Sequence, residues 1–266
     1  MLLILMFKDL ITFKMPDQVG HDLCSVVGYD DVMKRKYNRV LTIAGSDSGG
    51  GAGIQADIKA ISANGCYAAS AITAVTVQNT LGVHAVHSVP LDILEGQIEA
   101  VLSDIGADAV KIGMLHSAEV VKIVAEKIKK YAIKNVVLDP VMVSTSGHRL
   151  IEESAVEVIK EELLPLARVV TPNVPEAEIL IGRKILGECD FEAVVRELAD
   201  TYGVSVLLKA GHLTGDVLTD YFYNAEDNTL TLLPSKRVET KPLPLPIRTS
   251  AGFFVIGLSG KIRIQI

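Results

Sequence analysis

Apolar positions along the chain fall into short unbroken runs that alternate with longer periodic segments. Val40 to Ile43 is such a run, apolar or β-branched throughout, and predicts a short buried strand. From Ile54 the period changes: Ile54, Ile58 and Ile61 share one helical face, and Gly65 supplies a stop. Ala68 to Val77 predicts a long strand, Leu91 to Ile105 a helix, and Ala109 to Ile112 another strand. Ala118 to Tyr131 reads as an amphipathic helix with lysines crowded into its last turns, as a helix C-terminus favours. Val136 to Leu138 is a strand, and Ser154 is placed to cap a helix running to Leu163. Val169 to Thr171 then runs into Pro172-Asn173, which caps the next helix; Phe191 to Tyr202 is helical and Val204 to Leu208 extended. Past Asp220 the rhythm changes, with DYFYN and TLTLLP flanking the turn AEDN as an antiparallel hairpin.

Strands and helices alternating at this spacing predict an α/β fold, a mostly parallel sheet with helices on both faces. In such a sheet, ligands bind beyond the carboxyl ends of the strands. Gly45, Gln78, Met114, Asp139, Asn173 and Lys209 all fall at those ends. Between the first strand and first helix, Ala44 to Gly53 holds five glycines with Ser46, Asp47 and Ser48 among them. A tight strand-to-helix connection needs one or two glycines; five point to backbone N–H groups brought close to a polar ligand. Walker A is excluded, because Gly51-Ala52 stand where Lys and Ser/Thr belong. A dinucleotide fingerprint fits Gly51 to Ala56, but SAITAVTVQNT, where its ribose-binding acid should follow, contains no carboxylate. Asp57 lies instead in the first turns of the helix, on the side expected to face the loop's ligand.

Composition narrows the classes further. With 266 residues the chain can bury one large α/β core, and its low aromatic content disfavours a β-sandwich. A net charge of −6 argues against nucleic acid as the main partner. Cys24, Cys66 and Cys189 are far apart and form no C-x-x-C pair, which predicts a reducing cytoplasm and no structural zinc. His84, His87, His116 and His148 have no metal-ligand spacing. Asn173 and Glu176 have the spacing of a capping box.

The glycine loop AGSDSGGGAGIQAD (44–57) closely resembles the opening motif of the hydroxymethylpyrimidine/phosphomethylpyrimidine kinases of thiamine biosynthesis, members of the ribokinase-like superfamily. The resemblance continues in order through ITAVTVQNT (72–80), KIGML (111–115), VVLDPVM (136–142), TPNVPEAE (171–178) and LLKAGH (207–212). It implies a three-layer ribokinase-like sandwich and phosphorylation of 4-amino-5-hydroxymethyl-2-methylpyrimidine and its monophosphate by ATP with Mg²⁺. It places the pyrimidine on Gly45, Asp57, Gln78 and Met114, and ATP on Asp139, Asn173, Lys209 and Gly211. Glu176 and Asp139 would hold the metal. It further implies a cytoplasmic homodimer without a membrane partner.

Both ends depart from the resemblance. Residues 1–32 are a non-family extension; MLLILMF is too short to span a bilayer and lacks the flanks of a signal peptide. Met33 opens MKRKYNRVLTIAGSD and is the expected translation start, the alternative being an amphipathic docking segment at 1–32. The kinase domain is expected over 33–241. Residues 242–266 read PLPLPIRTSAGFFVIGLSGKIRIQI, without the family's Gly-Thr-Gly-Cys turn, its phosphoryl anion hole and candidate base, and without its terminal helices. Pro242, Pro244 and Pro246 bar a helix start, and Phe253 to Leu258 reads as an uncapped apolar run. Loss of resemblance inside a motif is what a reading-frame shift produces; genuine divergence is the alternative. The expected outcome is a C-terminally incomplete, severely impaired kinase or a pyrimidine-binding remnant of one.

Overall fold

The strand-forming runs assemble one after another into a single sheet. The computed structural model describes residues 37–79, 81–142, 151–209, 217–236, 253–256 and 262–265. Gly211, the extension at 1–32 and the junction at 237–252 lie outside them. The strands of the main sheet are β1 (Arg39–Ser46), β2 (Tyr67–Asn79), β3 (Gly82–Ser88), β4 (Ala109–Ile112), β5 (Val136–Leu138), β6 (Val169–Val170), β7 (Ser205–Leu208), β8 (Val217–Asn224) and β9 (Thr229–Lys236). Their order is β3-β2-β1-β4-β5-β6-β7-β8-β9. From β2 to β7 neighbours are parallel, and β3, β8 and β9 attach antiparallel to their neighbours. The backbones of β10 (Phe253–Ile256) and β11 (Ile262–Gln265) pair antiparallel as a separate two-stranded sheet.

The helices are α1 (Gly53–Ala63), α2 (Leu91–Ala100), α3 (Ala118–Lys130), α4 (Glu153–Val158), α5 (Val174–Ile181) and α6 (Phe191–Tyr202). Alternation along the strands decides which helix goes where. Leu41, Ile43, Val110, Ile112, Val136, Leu138, Val170, Val206 and Leu208 face one side, where they form the main core with α2 to α6. Thr42 and Lys111 occupy the intervening positions and face the other side, where α1 packs on β1 and β2. On that second face Val169, Leu207 and Phe222 form a smaller buried cluster. The expectation of helices on both faces of a mostly parallel sheet is met, with α1 the only described helix on its side.

Local differences from the sequence expectation have local causes. Ser154 does not cap α4; the helix starts at Glu153, and Glu152 stands at the N-cap position without a side-chain cap bond. The predicted helix to Ile105 ends in a wide π turn over Val101–Ile105, and the one to Leu163 ends likewise over Ile159–Leu163. Strand β3 was not expected, because GVHAVHS has little apolar pattern: it is an exposed edge strand held by its pairing to β2. Ile112, fully buried on a central strand, and Leu232, half exposed on β9, allow a contrast. Ile112→Ala should lose about 2–5 kcal/mol of unfolding free energy, while Leu232→Ala should stay within about 0.5 kcal/mol, measured by denaturant titration followed by circular dichroism.

Candidate active site

Strand β1 runs into the glycine loop, and the loop's conformation is set by its own carboxylate. Asp47 is buried, and its carboxylate accepts N–H bonds from Gly49 (2.7 Å), Gly51 (3.0 Å) and Ala52 (2.8 Å). The Asp47 N–H is held by Gln55 Oε1 at 2.8 Å, and Gln55 Nε2 donates to Ser46 Oγ at 2.7 Å. Ser48 Oγ donates to the Gln78 carbonyl at 2.6 Å and accepts from the Gln78 N–H at 2.9 Å, which fastens the loop to the end of β2. Gly53 has φ +56°, and a Cβ there would collide with the Gly45 carbonyl oxygen, so only glycine starts α1 here. The expectation that these N–H groups are free for a ligand needs correction, since three of them end on Asp47. An Asp opening a glycine-rich turn is a recognisable Asx-turn signal that would have flagged it.

The chain leaves β1 toward β2 and later returns to place β4 on the other side of β1, so the topological switch lies between β1 and β4. A crevice at such a point is where open parallel sheets take ligands. Gly45 and Met114 meet there: a Cβ on Gly45 would come within 2.7 Å of Met114 Cε. Thr73 Oγ1 donates to the Met114 carbonyl at 2.9 Å, which holds the β4 loop against β2. The side-chain Oε1 of Gln78 accepts from Thr76 Oγ1 at 3.2 Å, and its amide nitrogen has the two donors for a heterocycle edge. Asp57 reaches the same end of the sheet from α1. It is buried at the α1–sheet contact and accepts from Thr42 Oγ1 at 2.6 Å and Lys111 Nζ at 2.9 Å. Its described contacts are with the protein itself.

The second group of predicted residues converges at the ends of β5, β6 and β7. Lys209 Nζ donates to Asp139 Oδ1 at 2.8 Å, and Thr171 Oγ1 donates to the same oxygen at 3.1 Å. Asn173 pairs with Lys209 in a short parallel bridge. Asn173 and Glu176 form a complete capping box: Asn173 Oδ1 accepts from the Glu176 N–H, and Glu176 Oε2 accepts from the Asn173 N–H, each at 2.9 Å. Glu176 Oε1 also accepts from the Met142 N–H at 3.3 Å.

Burial pushes the Glu176 carboxyl up to about 7 against the opposing charge of Lys209. Burial would also raise Asp139, but the charges of Lys209 and Lys111 outweigh it and hold that carboxyl below its ordinary range. Lys209 in turn is held above its ordinary value, because Asp139 and Glu176 overcome the cost of burying its ammonium. Lys111, a lone basic residue in the strand AVKI, therefore acts on both groups of residues, and the sequence reading gave it no role. No set of three or more His, Cys, Asp or Glu side chains suited to a metal occurs among the described residues. Two carboxylates beside a lysine remain an oxygen donor set of the kind Mg²⁺ shares with a substrate phosphate.

Residues 47–243 match the family model of phosphomethylpyrimidine kinase. The chain belongs to that family, whose members are phosphotransferases. A hydroxymethylpyrimidine/phosphomethylpyrimidine kinase of Rhizobium meliloti is 49% identical over 202 residues, covering 76% of this chain and 75% of its own. The crystal structure of phosphomethylpyrimidine kinase from Clostridium difficile is 47% identical, with TM-score 0.68 over 73% of this chain and 83% of that one. The pyridoxal kinase of Staphylococcus aureus in complex with AMP-PCP is 34% identical, with TM-score 0.70 over 77% of this chain and 74% of its own. The fold is thus that of the ribokinase-like kinases, as the motifs implied.

The raised Glu176 carboxyl has a consequence for stability. Between about pH 4.5 and 7 the folded protein keeps a proton there that the unfolded chain has released. The stability from that proton is fully present below about 4.5 and lost as the pH rises through about 7. Denaturant unfolding across this window should show a decline on the order of a few kcal/mol that is absent in Glu176→Gln. Parallel profiles for the two proteins would assign the proton elsewhere.

Proposed function

We propose that this chain binds 4-amino-5-hydroxymethyl-2-methylpyrimidine and its monophosphate at the β1–β4 crevice and takes ATP beside Lys209, as a kinase of thiamine biosynthesis. The observation that carries the reading is that the crevice and the Asp139–Lys209–Glu176 cluster lie along the same carboxyl edge of one parallel sheet, with Lys111 between them. Gly45 and Met114 offer an apolar surface to a flat ring, and Gln78 supplies amide groups to its nitrogen-rich edge. Asp57 contributes through Lys111, whose ammonium it holds at the crevice. On the other side, Lys209 offers a cation to the ATP phosphates together with Asn173; Gly211, also expected there, lies outside the described residues. Asp139 and Glu176 would hold Mg²⁺, which would neutralise charge on the phosphoryl oxygens during transfer.

The reaction is an in-line displacement: the substrate oxygen bonds to the γ-phosphorus, the bond to the ADP oxygen breaks, and the substrate loses its proton. Residues 242–266 contain no Gly-Thr-Gly-Cys, the turn that serves the family as anion hole and candidate base. We therefore place transfer by this chain well below that of its relatives, with pyrimidine binding retained. Losing one such donor typically costs about 10²–10³ in rate. A second copy is the proposed partner of the exposed apolar edge formed by Val75, Val77, Leu81 and Val86 on β2, β3 and their turn. Cys66 and Cys189 are free thiols, in keeping with a reducing cytoplasm. No described helix is long and apolar enough to cross a membrane.

Calorimetry with the pyrimidine alone tests the binding half. Gln78→Ala should weaken pyrimidine binding by about 1–3 kcal/mol and leave ATP binding unchanged. Unaltered pyrimidine affinity would remove Gln78 from the site. ADP release with both substrates then tests transfer. A rate below that of the Rhizobium meliloti relative by at least about 10²-fold is expected, and equal rates would refute the impairment.

A further inference from the structure

The glycine loop carries an internal anion, and the consequences reach the substrate. Three backbone N–H groups, of Gly49, Gly51 and Ala52, converge on one buried carboxylate at the start of α1. Converging N–H groups at a helix start are the arrangement that elsewhere receives a phosphate. Here the acceptor is supplied by the chain, and several other polar groups of the loop are bonded as well. Lys59 Nζ, reaching back from α1, donates to the Gly50 carbonyl at 2.7 Å, and Gln55 and Ser48 hold the Asp47 backbone and the end of β2. A Cβ on Gly49 would lie 3.2 Å from Asp47 Oδ1, and Gly50 has φ +73°, so both positions favour glycine.

We propose that Asp47 is a positioning and specificity residue: its carboxylate occupies the loop's anion nest, fixes Gly45 and Gln78 around the crevice, and makes the loop a seat for an uncharged heteroaromatic ring. This inference rests on the pyrimidine reading for its ligand, and it deepens that reading in one respect. A phosphate group on the substrate gains nothing from the glycine loop. A negatively charged group brought to the loop meets Asp47 instead of free N–H groups. Discrimination between ring and phosphate is thereby assigned to a residue that need not touch the ligand.

The test uses the full chain with Asp47→Ala and Asp47→Asn, and with acetate as the probe anion against chloride at matched ionic strength. Asp47→Ala should lose pyrimidine affinity by at least about 10-fold at unchanged ATP affinity. Acetate should raise its Tm and restore part of the pyrimidine affinity, while neither changes in the unsubstituted protein. Asp47→Asn, which keeps one acceptor oxygen and loses the charge, should fall between the two. Equal effects of acetate and chloride on Asp47→Ala, or wild-type pyrimidine affinity in that variant, would overturn the assignment. Amide exchange in the unsubstituted protein decides the matter if neither variant folds: slow exchange at Gly49, Gly51 and Ala52 is expected, and fast exchange rejects the nest. Failure of the unsubstituted protein to bind the pyrimidine would sink the functional reading alone, since acetate dependence and amide exchange need no pyrimidine.

Discussion

The ammonium of Lys111 stands at the end of β4, 2.9 Å from the buried carboxylate of Asp57 and close enough to Asp139 to hold that carboxyl ionised. Much of the edge depends on this one cation. A buried carboxylate without a partner costs several kcal/mol, so α1 can bring Asp57 to the sheet only because Lys111 and Thr42 meet it there. Asp139 stays ionised beside the buried Glu176 because the charges of Lys209 and Lys111, with hydrogen bonds from Lys209 and Thr171, outweigh its burial. Lys111 thus ties the helix that carries the glycine loop to the strand end that carries the phosphate-side charges. The two halves of the edge are one electrostatic unit.

Charge on this edge is arranged so that little of it is left over. Asp47 is absorbed by loop N–H groups, Asp57 by Lys111 and Thr42, and Asp139 by Lys209 and Thr171. Glu176 is the exception: N–H groups of Asn173 and Met142 reach both its oxygens, yet burial still lifts it to about 7. In the proposed metal role, a divalent ion would offset the desolvation that holds the proton on. The same residue completes the capping box of α5, and the two roles are compatible, since each carboxylate oxygen has more than one lone pair.

The single described helix on the α1 face shows what the family comparison means for the architecture. Five helices build the main core on one side of the sheet, and that core alone accounts for most of the buried aliphatic residues. The family match closes at residue 243, just beyond β9. The proposed loss of transfer and the retained binding follow the same division. The loop, the β1–β4 switch point and the Asp139–Lys209 pair all come from residues before 210.

The order of strands and helices, their parallel sense and the polar residues at the carboxyl edge were legible from apolar periodicity, because burying a strand on both faces and a helix on one leaves distinct spacings. Asp139, Asn173 and Lys209 were likewise visible as polar residues ending apolar runs, and Glu176 by its capping-box spacing to Asn173. The sequence could not show β3, whose partner strand supplies the stability that its own exposed residues lack. Nor could it show that Asp57 turns toward the sheet, because the direction of a helical side chain depends on how the helix is laid across the strands. Asp47 bonds only within its own loop and carried a local turn signal, whereas Lys111 passed as an ordinary polar residue. Its role consists of distances to Asp57 and Asp139, far along the chain, and only the tertiary structure sets those distances.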